Sequence, residues 1–429
     1  MARKKRYILV GTGSRSMMYA HALMGEFAQY GELVAICDIN AGRMAYANEL
    51  FAKKYGAAPL PVYKPTDFAK MVRETRGEVV IVTSIDRTHH RYIAEAMNMG
   101  CDVITEKPMT IDADKCAVIY DAIKRTGRSL RVTFNYRYAP RNSKVKELLM
   151  EGVIGDVKSV HFEWLLDTRH GADYFRRWHR DKKNSGGLLV HKATHHFDLV
   201  NWWLAAKPVQ VYAQGGLVFY GRENAENRGI TEFYDRGTGN PVAARDPFAL
   251  DLSKDEELKR MYLDAESYDG YRRDQSVFGD CISIEDDMSA IVKYSSGATM
   301  TYHLTAYSPW EGYRVAFNGT KGRIEMEVTE NPYISGSERD PNRPDIIAGR
   351  DAGLHETTHI LVRPLWEKPR EVTLEAQTEA GHGGGDIRML RDIFVGTDAD
   401  PFGRAADHVA GTDSIMVGIA ANRSLATGL

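Results

Sequence analysis

The chain has 429 residues, 43% hydrophobic and 27% charged, with a formal net charge of −2. That length exceeds what one hydrophobic core usually fills, so two domains are expected, and the balanced charge gives no electrostatic case for nucleic acid or an anionic membrane. No apolar run reaches membrane length, the basic start Arg3–Arg6 leads into no signal-like apolar stretch, and Cys37, Cys101, Cys116 and Cys281 lie far apart, which together suit a reducing, cytoplasmic compartment.

The first predicted elements are a strand, a glycine turn and a helix in "RYILVGTGSRSMMYAHALMGEF". Gly11 allows the tight turn and Gly13 lets backbone approach a pyrophosphate, which then meets the helix N-terminus beside Ser14 and Arg15. Ser16 stands where the third glycine of the dinucleotide fingerprint belongs, and a small side chain there still permits close helix–strand packing. The next strand, "ELVAICDIN", ends in Asp38, about 20 residues on, where a carboxylate accepts from a ribose diol. Its charge repels a 2′-phosphate and favours NAD over NADP, while Arg43 nearby softens that preference.

Two more strands, "EVVIVTS" and "CDVITEKP", are separated by a helical stretch and carry Thr83, Ser84, Glu106 and Lys107 at their C-terminal ends. Strands alternating with helices predict a doubly wound parallel sheet, with ligand beyond the strand C-termini. His89 can flank the cofactor there; His90 can equally face solvent.

"TEKPMT" (Thr105–Thr110), following a GxG turn, resembles the EKP motif of the glucose–fructose oxidoreductase/inositol dehydrogenase (Gfo/Idh/MocA) family. The resemblance continues in family order through "RVTFNYRY", "GVIGDVKSV", "GGLLVHKATHHFD" and "GHGGGDIRML". It implies an N-terminal Rossmann domain, set at 1–135, and a C-terminal α+β domain, 136–429, with a large, mostly antiparallel open sheet. It further implies a homo-oligomer, dimer or tetramer, built through that sheet. Asn135 falls on the cofactor side by this resemblance, and Arg137 on the substrate side. The second half agrees by itself: "VKSVHFEWLL" alternates Val160, Phe162, Trp164 and Leu166 on one face, and "SAIVKYSSGATMTYHLTAY" reads as a hairpin turning at Ser295–Gly297. An insertion at about 219–280 is either a lid or an oligomer contact.

His191, His195 and His196 crowd six residues together with Lys192. His191 and His195, four apart in a helical pattern, share one face, the spacing zinc-binding HExxH helices use. Lys192 replaces the glutamate of that motif and no further ligand pattern completes a tetrahedral set, so no metal is expected. By the resemblance, His195 matches the family histidine, Asp198 the later aspartate, and His191 stands where an aspartate is usual. Lys107 and His195 then handle a substrate hydroxyl proton, with Lys107 made more acidic by the cationic ring and partial burial. His196 reads as structural.

Upstream, "DTRHGADYFRRWHRDKKNSGG" offers Tyr174, Arg177 and Trp178. Aromatics stack on sugar faces and arginines grip carboxylate or sulfonate, although a solvated basic loop has the same composition. Three functions fit. The first is an NAD-dependent oxidoreductase acting on a ring hydroxyl, at C3, of a sugar or glycoside; if the basic loop lines the pocket, that sugar is a uronate or a sulfonated hexose. The second is a redox-neutral NAD-dependent glycosidase, favoured by the surplus of His191, Lys192, His195 and His382. The third is a non-catalytic NAD-binding sensor.

Overall fold

The computed structural model describes residues 3–334, 357–374, 384–396 and 399–429. Two compact units form. The first comprises Met1–Pro140, Glu257–Tyr271 and Gln377–Met416; the second comprises Arg141–Glu256, Arg272–Ala376 and Val417–Leu429. The chain therefore returns twice to the first unit after leaving it. A fifteen-residue piece of the insertion, Glu257–Tyr271, belongs with the nucleotide-binding fold.

The first unit holds a six-stranded parallel sheet in the order β3-β2-β1-β4-β5-β6. Its strands are β1 (Lys5–Val10), β2 (Gly31–Cys37), β3 (Val62–Tyr63), β4 (Val79–Val82), β5 (Asp102–Thr105) and β6 (Leu130–Val132). All four residues of β4 and the last four of β1 are buried, the continuous apolar run that a strand covered on both faces requires. Helix α1 (Ser14–Met24) follows β1, and α2 (Ala41–Tyr55) follows β2. Asn40 caps α2 by accepting from the Arg43 amide, and Gly56 ends it at φ 64°. The doubly wound sheet inferred from the sequence is present.

The second unit is built on an eight-stranded sheet, β14-β13-β12-β11-β7-β10-β9-β8. The strands are β7 (Val157–Asp167), β8 (Pro208–Gly216), β9 (Asp287–Tyr294), β10 (Thr299–Ser308), β11 (Glu311–Gly319), β12 (Gly322–Asn331), β13 (Thr357–Pro364) and β14 (Arg370–Glu371). Every pair is antiparallel except β7 with β10. Burial alternates along β9 and β10, so one face meets the core and the other is exposed. The β9–β10 hairpin turns at Gly297, whose φ of 86° is one L side chains avoid.

The core face of this sheet carries an aromatic stack. Trp164 lies 4.6 Å from the Tyr313 ring and 4.0 Å from the His196 ring, both near parallel. His196 Nδ1 pairs with the Tyr302 hydroxyl at 2.7 Å. His196 is thereby a packing residue, and its helix is pinned to the sheet by contacts worth about 0.5–1.5 kcal/mol per ring pair beyond their buried area.

Candidate functional site

Within the first unit, the residues expected at the dinucleotide site converge on the C-terminal ends of β1, β4 and β5. Gly11, at φ 90°, lies so close to β4 that a Cβ would come within 2.7 Å of the Thr83 and Ser84 backbone. Thr83 Oγ1 donates to the carbonyls of Val10 and Gly11, clamping the two strand ends together. Ser16 Oγ bonds back to the Gly13 carbonyl at 2.6 Å, so the replacement for the third glycine stabilises the turn. The amide of Ser14 opens α1, with its positive dipole end, directly after this turn.

Asp38 is held tightly. One carboxylate oxygen accepts from the Thr12 amide (2.6 Å) and hydroxyl (2.9 Å), the other from the Asn40 amide (2.8 Å) and Arg43 (3.3 Å). A ribose hydroxyl must share or displace the longest of these bonds. Arg43 is gripped on its other side by Asp269, so two carboxylates face its charge.

Lys107 follows a rigid carboxylate. Glu106 is buried and accepts from Arg15 Nε and the Tyr19 hydroxyl, each at 2.7 Å, and from the Lys107 amide at 3.2 Å. Burial works against its ionisation, but the Arg15 charge, the Tyr19 hydrogen bond and the Lys107 charge outweigh that and hold its pKa below the ordinary carboxylate value. His89 places one ring nitrogen 2.8 Å from the Ser84 carbonyl and the other 2.9 Å from the Pro108 carbonyl. Rather than flanking open space, its buried ring ties the loop that carries Lys107 to the end of β4. Burial lowers its pKa, partly offset by those two carbonyls. His90 is half-buried.

Asn135 is 1% exposed and donates to Asp386 at 2.7 Å, while its side-chain oxygen is a buried acceptor with no donor among the described residues. Asp386 also lies 3.7 Å from Arg15, so Asn135, Asp386, Arg15, Glu106 and Lys107 form one connected set. The glycine approach, the helix start beside it and this unsatisfied oxygen fit a dinucleotide with an amide head. Arg137, expected on the substrate side, is buried in this unit and gives Nη1 to the Gly403 carbonyl at 3.1 Å.

The second unit carries the histidine cluster. Gly186 and Gly187, at φ 74° and 80°, turn the chain into a short helix, Leu188–His191. The amides of Lys192 and Ala193 both donate to the Leu188 carbonyl, which closes that helix; a new one, Thr194–Leu204, starts after it. The expectation of one continuous helix is therefore corrected: His191 and His195 belong to different helices, because the doubly used carbonyl interrupts the register. His191 meets the rings of His179 (4.2 Å), Tyr174 (5.6 Å) and Trp178 (6.0 Å). His195, 5% exposed, occupies the first turn of the following helix, and Asp198 is buried on the same helix.

Lys192 is 4% exposed, with Nζ 4.8 Å from the Trp164 ring centroid. Burial lowers its pKa, a shift that Glu311 and Glu330 only partly offset. Glu311 accepts from the Asp167 amide and sits 2.7 Å from His170 Nδ1; His170 Nε2 lies 3.1 Å from the Tyr174 hydroxyl. Burial opposes ionisation of Glu311, yet His170 and Lys192 outweigh it and hold its pKa down. A carboxylate, an imidazole and a phenol are thus linked in series, with the phenol ring against His191.

Arg177 is bound at 2.9 Å to Asp173, which Arg176 and Arg273 also approach, at 3.4 and 2.7 Å. Burial would raise the Asp173 pKa, but the three guanidiniums, Arg273 foremost, hold it far below the usual range. The basic loop is therefore a charge cluster organised on one carboxylate. His382 lies outside the described residues. Glu311 and Arg273 carry no local motif, and only the folded chain reveals them; Asp386 and Asp173 fall within the stretches GHGGGDIRML and DTRHGADYFRRWHRDKKNSGG, where nothing local marks them out. A separate cavity of 340 Å³ inside the insertion, lined by residues including Phe233, Tyr234, Arg245 and Phe278, shares no lining residue with the histidine cluster.

Comparison with known proteins matches residues 5–134 to the Gfo/Idh/MocA model described as oxidoreductase family, NAD-binding Rossmann fold, and residues 146–428 to that family's C-terminal alpha/beta domain. YteT of Bacillus subtilis is 36% identical over 98% of this chain and 96% of its own length. The D-glucoside 3-dehydrogenase of Escherichia coli is 31% identical over 42% of this chain and 48% of its own. Glycosyl hydrolase family 109 protein 1 of Akkermansia muciniphila is 26% identical over 44% and 40%, respectively. The aldose–aldose oxidoreductase of Caulobacter crescentus, solved with glycerol, shares the fold at a TM-score of 0.62 and 17% identity, covering 100% of this chain and 99% of that one. No helix among the described residues is long and apolar enough to cross a membrane.

Proposed function

Because the chain belongs to the Gfo/Idh/MocA oxidoreductase family, we propose that it is an NAD-dependent oxidoreductase moving hydride between nicotinamide and a ring hydroxyl, at C3, of a sugar or glycoside. The observation that carries this reading is the Lys107 loop, held beyond the sheet by Glu106 and His89 beside the unsatisfied Asn135 oxygen. The similarity to a D-glucoside 3-dehydrogenase supports C3 as the reacting carbon.

When bound, NAD supplies a hydride acceptor at C4 of its nicotinamide. Gly11, Gly13 and Ser14 would hold the pyrophosphate, Asp38 the ribose, and Asn135 the carboxamide. The two carboxylates around Arg43 favour NAD, since a 2′-phosphate would meet Asp38 and Asp269 together. Lys107 Nζ is the proposed base for the substrate hydroxyl proton, and the His195 imidazole is proposed as a proton carrier. Tyr174, Trp178 and His191 form an aromatic wall suited to a sugar face, with Lys192 as a further cation. Three arginines on one carboxylate leave a positive surplus near Arg177, which supports an anionic sugar such as a uronate or a sulfonated hexose. Equal kcat/KM for neutral and anionic versions of one sugar would remove that part.

A second reading is a redox-neutral glycosidase, in which oxidation at C3 acidifies the C2 proton, the aglycone leaves, water adds and the ketone is reduced again. The Glu311–His170–Tyr174 series favours it by offering a second acid–base group. The exposed cross-strand pair Tyr212–Ile291 supports assembly of copies through the open sheet. Proton NMR with a panel of glycosides in heavy water, at catalytic NAD, tests both readings. A keto-sugar formed in proportion to NAD, with the glycosidic bond intact, establishes the dehydrogenase; cleaved sugar deuterated at C2 establishes the glycosidase.

A further inference from the structure

The insertion piece Glu257–Tyr271 lies on the dinucleotide-binding edge of its own unit and is anchored at three places. The Tyr262 hydroxyl sits 3.1 Å from the Ser14 amide and 2.8 Å from Ser14 Oγ, at the helix start where a pyrophosphate oxygen belongs. A Cβ on Gly13 would lie only 3.7 Å from that hydroxyl. At the ribose end, Asn40 Nδ2 donates to the Ala265 carbonyl at 2.9 Å and Arg43 pairs with Asp269. The Tyr268 ring lies so close to Gly42 that a Cβ there would come within 2.8 Å of it. Further along α2, Arg260 pairs with Glu49 at 2.6 Å and covers the Tyr46 ring. Met261 and Ala265 are almost fully buried, so the piece is packed as well as tethered.

We propose that Glu257–Tyr271 is a strap over the adenosine–pyrophosphate half of the bound dinucleotide, with the Tyr262 hydroxyl donating to the phosphate that the Ser14 amide binds. This rests on the dinucleotide reading above and extends it to residues outside the Rossmann fingerprint. The three anchors span the two groups any dinucleotide presents there, a phosphate at α1 and a ribose at Asp38. In the free chain the hydroxyl satisfies the Ser14 amide. Once a phosphate oxygen takes that amide, the same hydroxyl, a donor as well as an acceptor, turns its proton to the phosphate. Release then requires the strap to unhook from Asn40, Arg43 and Glu49, so the strap slows departure of the dinucleotide.

The test is the release rate of NADH from the full chain, followed by nicotinamide fluorescence during a chase with excess NAD. Tyr262→Phe removes the phosphate contact, and Arg260→Ala removes the anchor to Glu49 and Tyr46 of α2. Release is expected to accelerate about tenfold in Tyr262→Phe, the factor one hydrogen bond to a charged group supplies, and severalfold in Arg260→Ala. NADH bound by all three proteins with one common release rate would overturn the strap while leaving the dinucleotide site standing. Failure of the unmodified chain to bind NADH would overturn the site and the strap together. Should Tyr262→Phe not fold, Arg260→Ala decides alone, because its side chain and that of Glu49 are partly exposed.

Discussion

Replacing Lys192 by methionine should stabilise the protein at neutral pH while raising KM through the loss of a substrate-side cation. The lysine is 4% exposed, and the net effect of its surroundings is to lower its pKa: burial penalises the ammonium more than Glu311 and Glu330 repay. A charge disfavoured in the folded state costs stability, and a methionine of similar length removes that cost while keeping contact with Trp164. The gain should be about 1 kcal/mol, which raises Tm by about 2–4 °C for a domain of this size. Its pH dependence follows from the direction of the shift. A lysine whose folded pKa is lowered carries its full penalty below the folded pKa and none above the ordinary value near 10.5. The advantage of Lys192→Met should therefore be present at neutral pH and disappear as the pH rises toward 10.5. Thermal melts of both proteins from pH 7 to 10.5, with turnover assayed in parallel, supply the measurement. A variant less stable at pH 7 by about 1 kcal/mol or more would show that the cation over Trp164 and its attraction to Glu311 outweigh burial, refuting the reasoning.

Lys107→Ala should lower kcat by at least about a hundredfold, the scale of a lost general base, while calorimetry shows NAD still binding; loss of NAD binding would make the lysine a cofactor anchor. Asp38→Ala should weaken NAD more than NADP, and an unchanged ratio of the two dissociation constants would sink the ribose assignment. Gly11→Ala adds a methyl within 2.7 Å of the Thr83 and Ser84 backbone at a positive φ, and should cost about 2–3 kcal/mol in urea unfolding along with NAD binding. A fully stable, NAD-binding Gly11→Ala chain would contradict the close approach of the β1 end to β4.

The parts of the fold legible in sequence are those governed by short-range rules. Continuous apolar runs ending in Gly11, Asp38 and Thr83 mark buried parallel strands, and the alternation of Val160, Phe162 and Trp164 marks one face of β7, because side-chain period follows backbone geometry. The histidine-rich segment is legible as a cluster of titratable side chains but not as two helices, since the break at Ala193 depends on two amides sharing the Leu188 carbonyl rather than on any breaker residue. Glu311 and Tyr262 are not legible at all. Glu311 acquires meaning only through His170, 141 positions away, and Tyr262 only through Ser14, 248 positions away. No periodicity encodes pairings at such separations.

The discontinuity of the first unit bears on how the chain can be made. Arg131, Asn135 and Arg15 find Asp392 and Asp386 near the far end of the sequence, and Val132 bridges to Ala406. A ribosome emits the six parallel strands early, and Arg15 finds Glu106 among them, yet the carboxylates that pair with Arg131 and Asn135 emerge only after the second unit's sheet has been synthesised. The nascent nucleotide-binding half must therefore wait, incompletely neutralised and with its β6 edge open, while roughly 240 residues follow it out at about 5–20 residues per second. Chaperone dependence during synthesis, and tolerance of the finished protein to dilution from denaturant, are properties that this late-arriving closure should set.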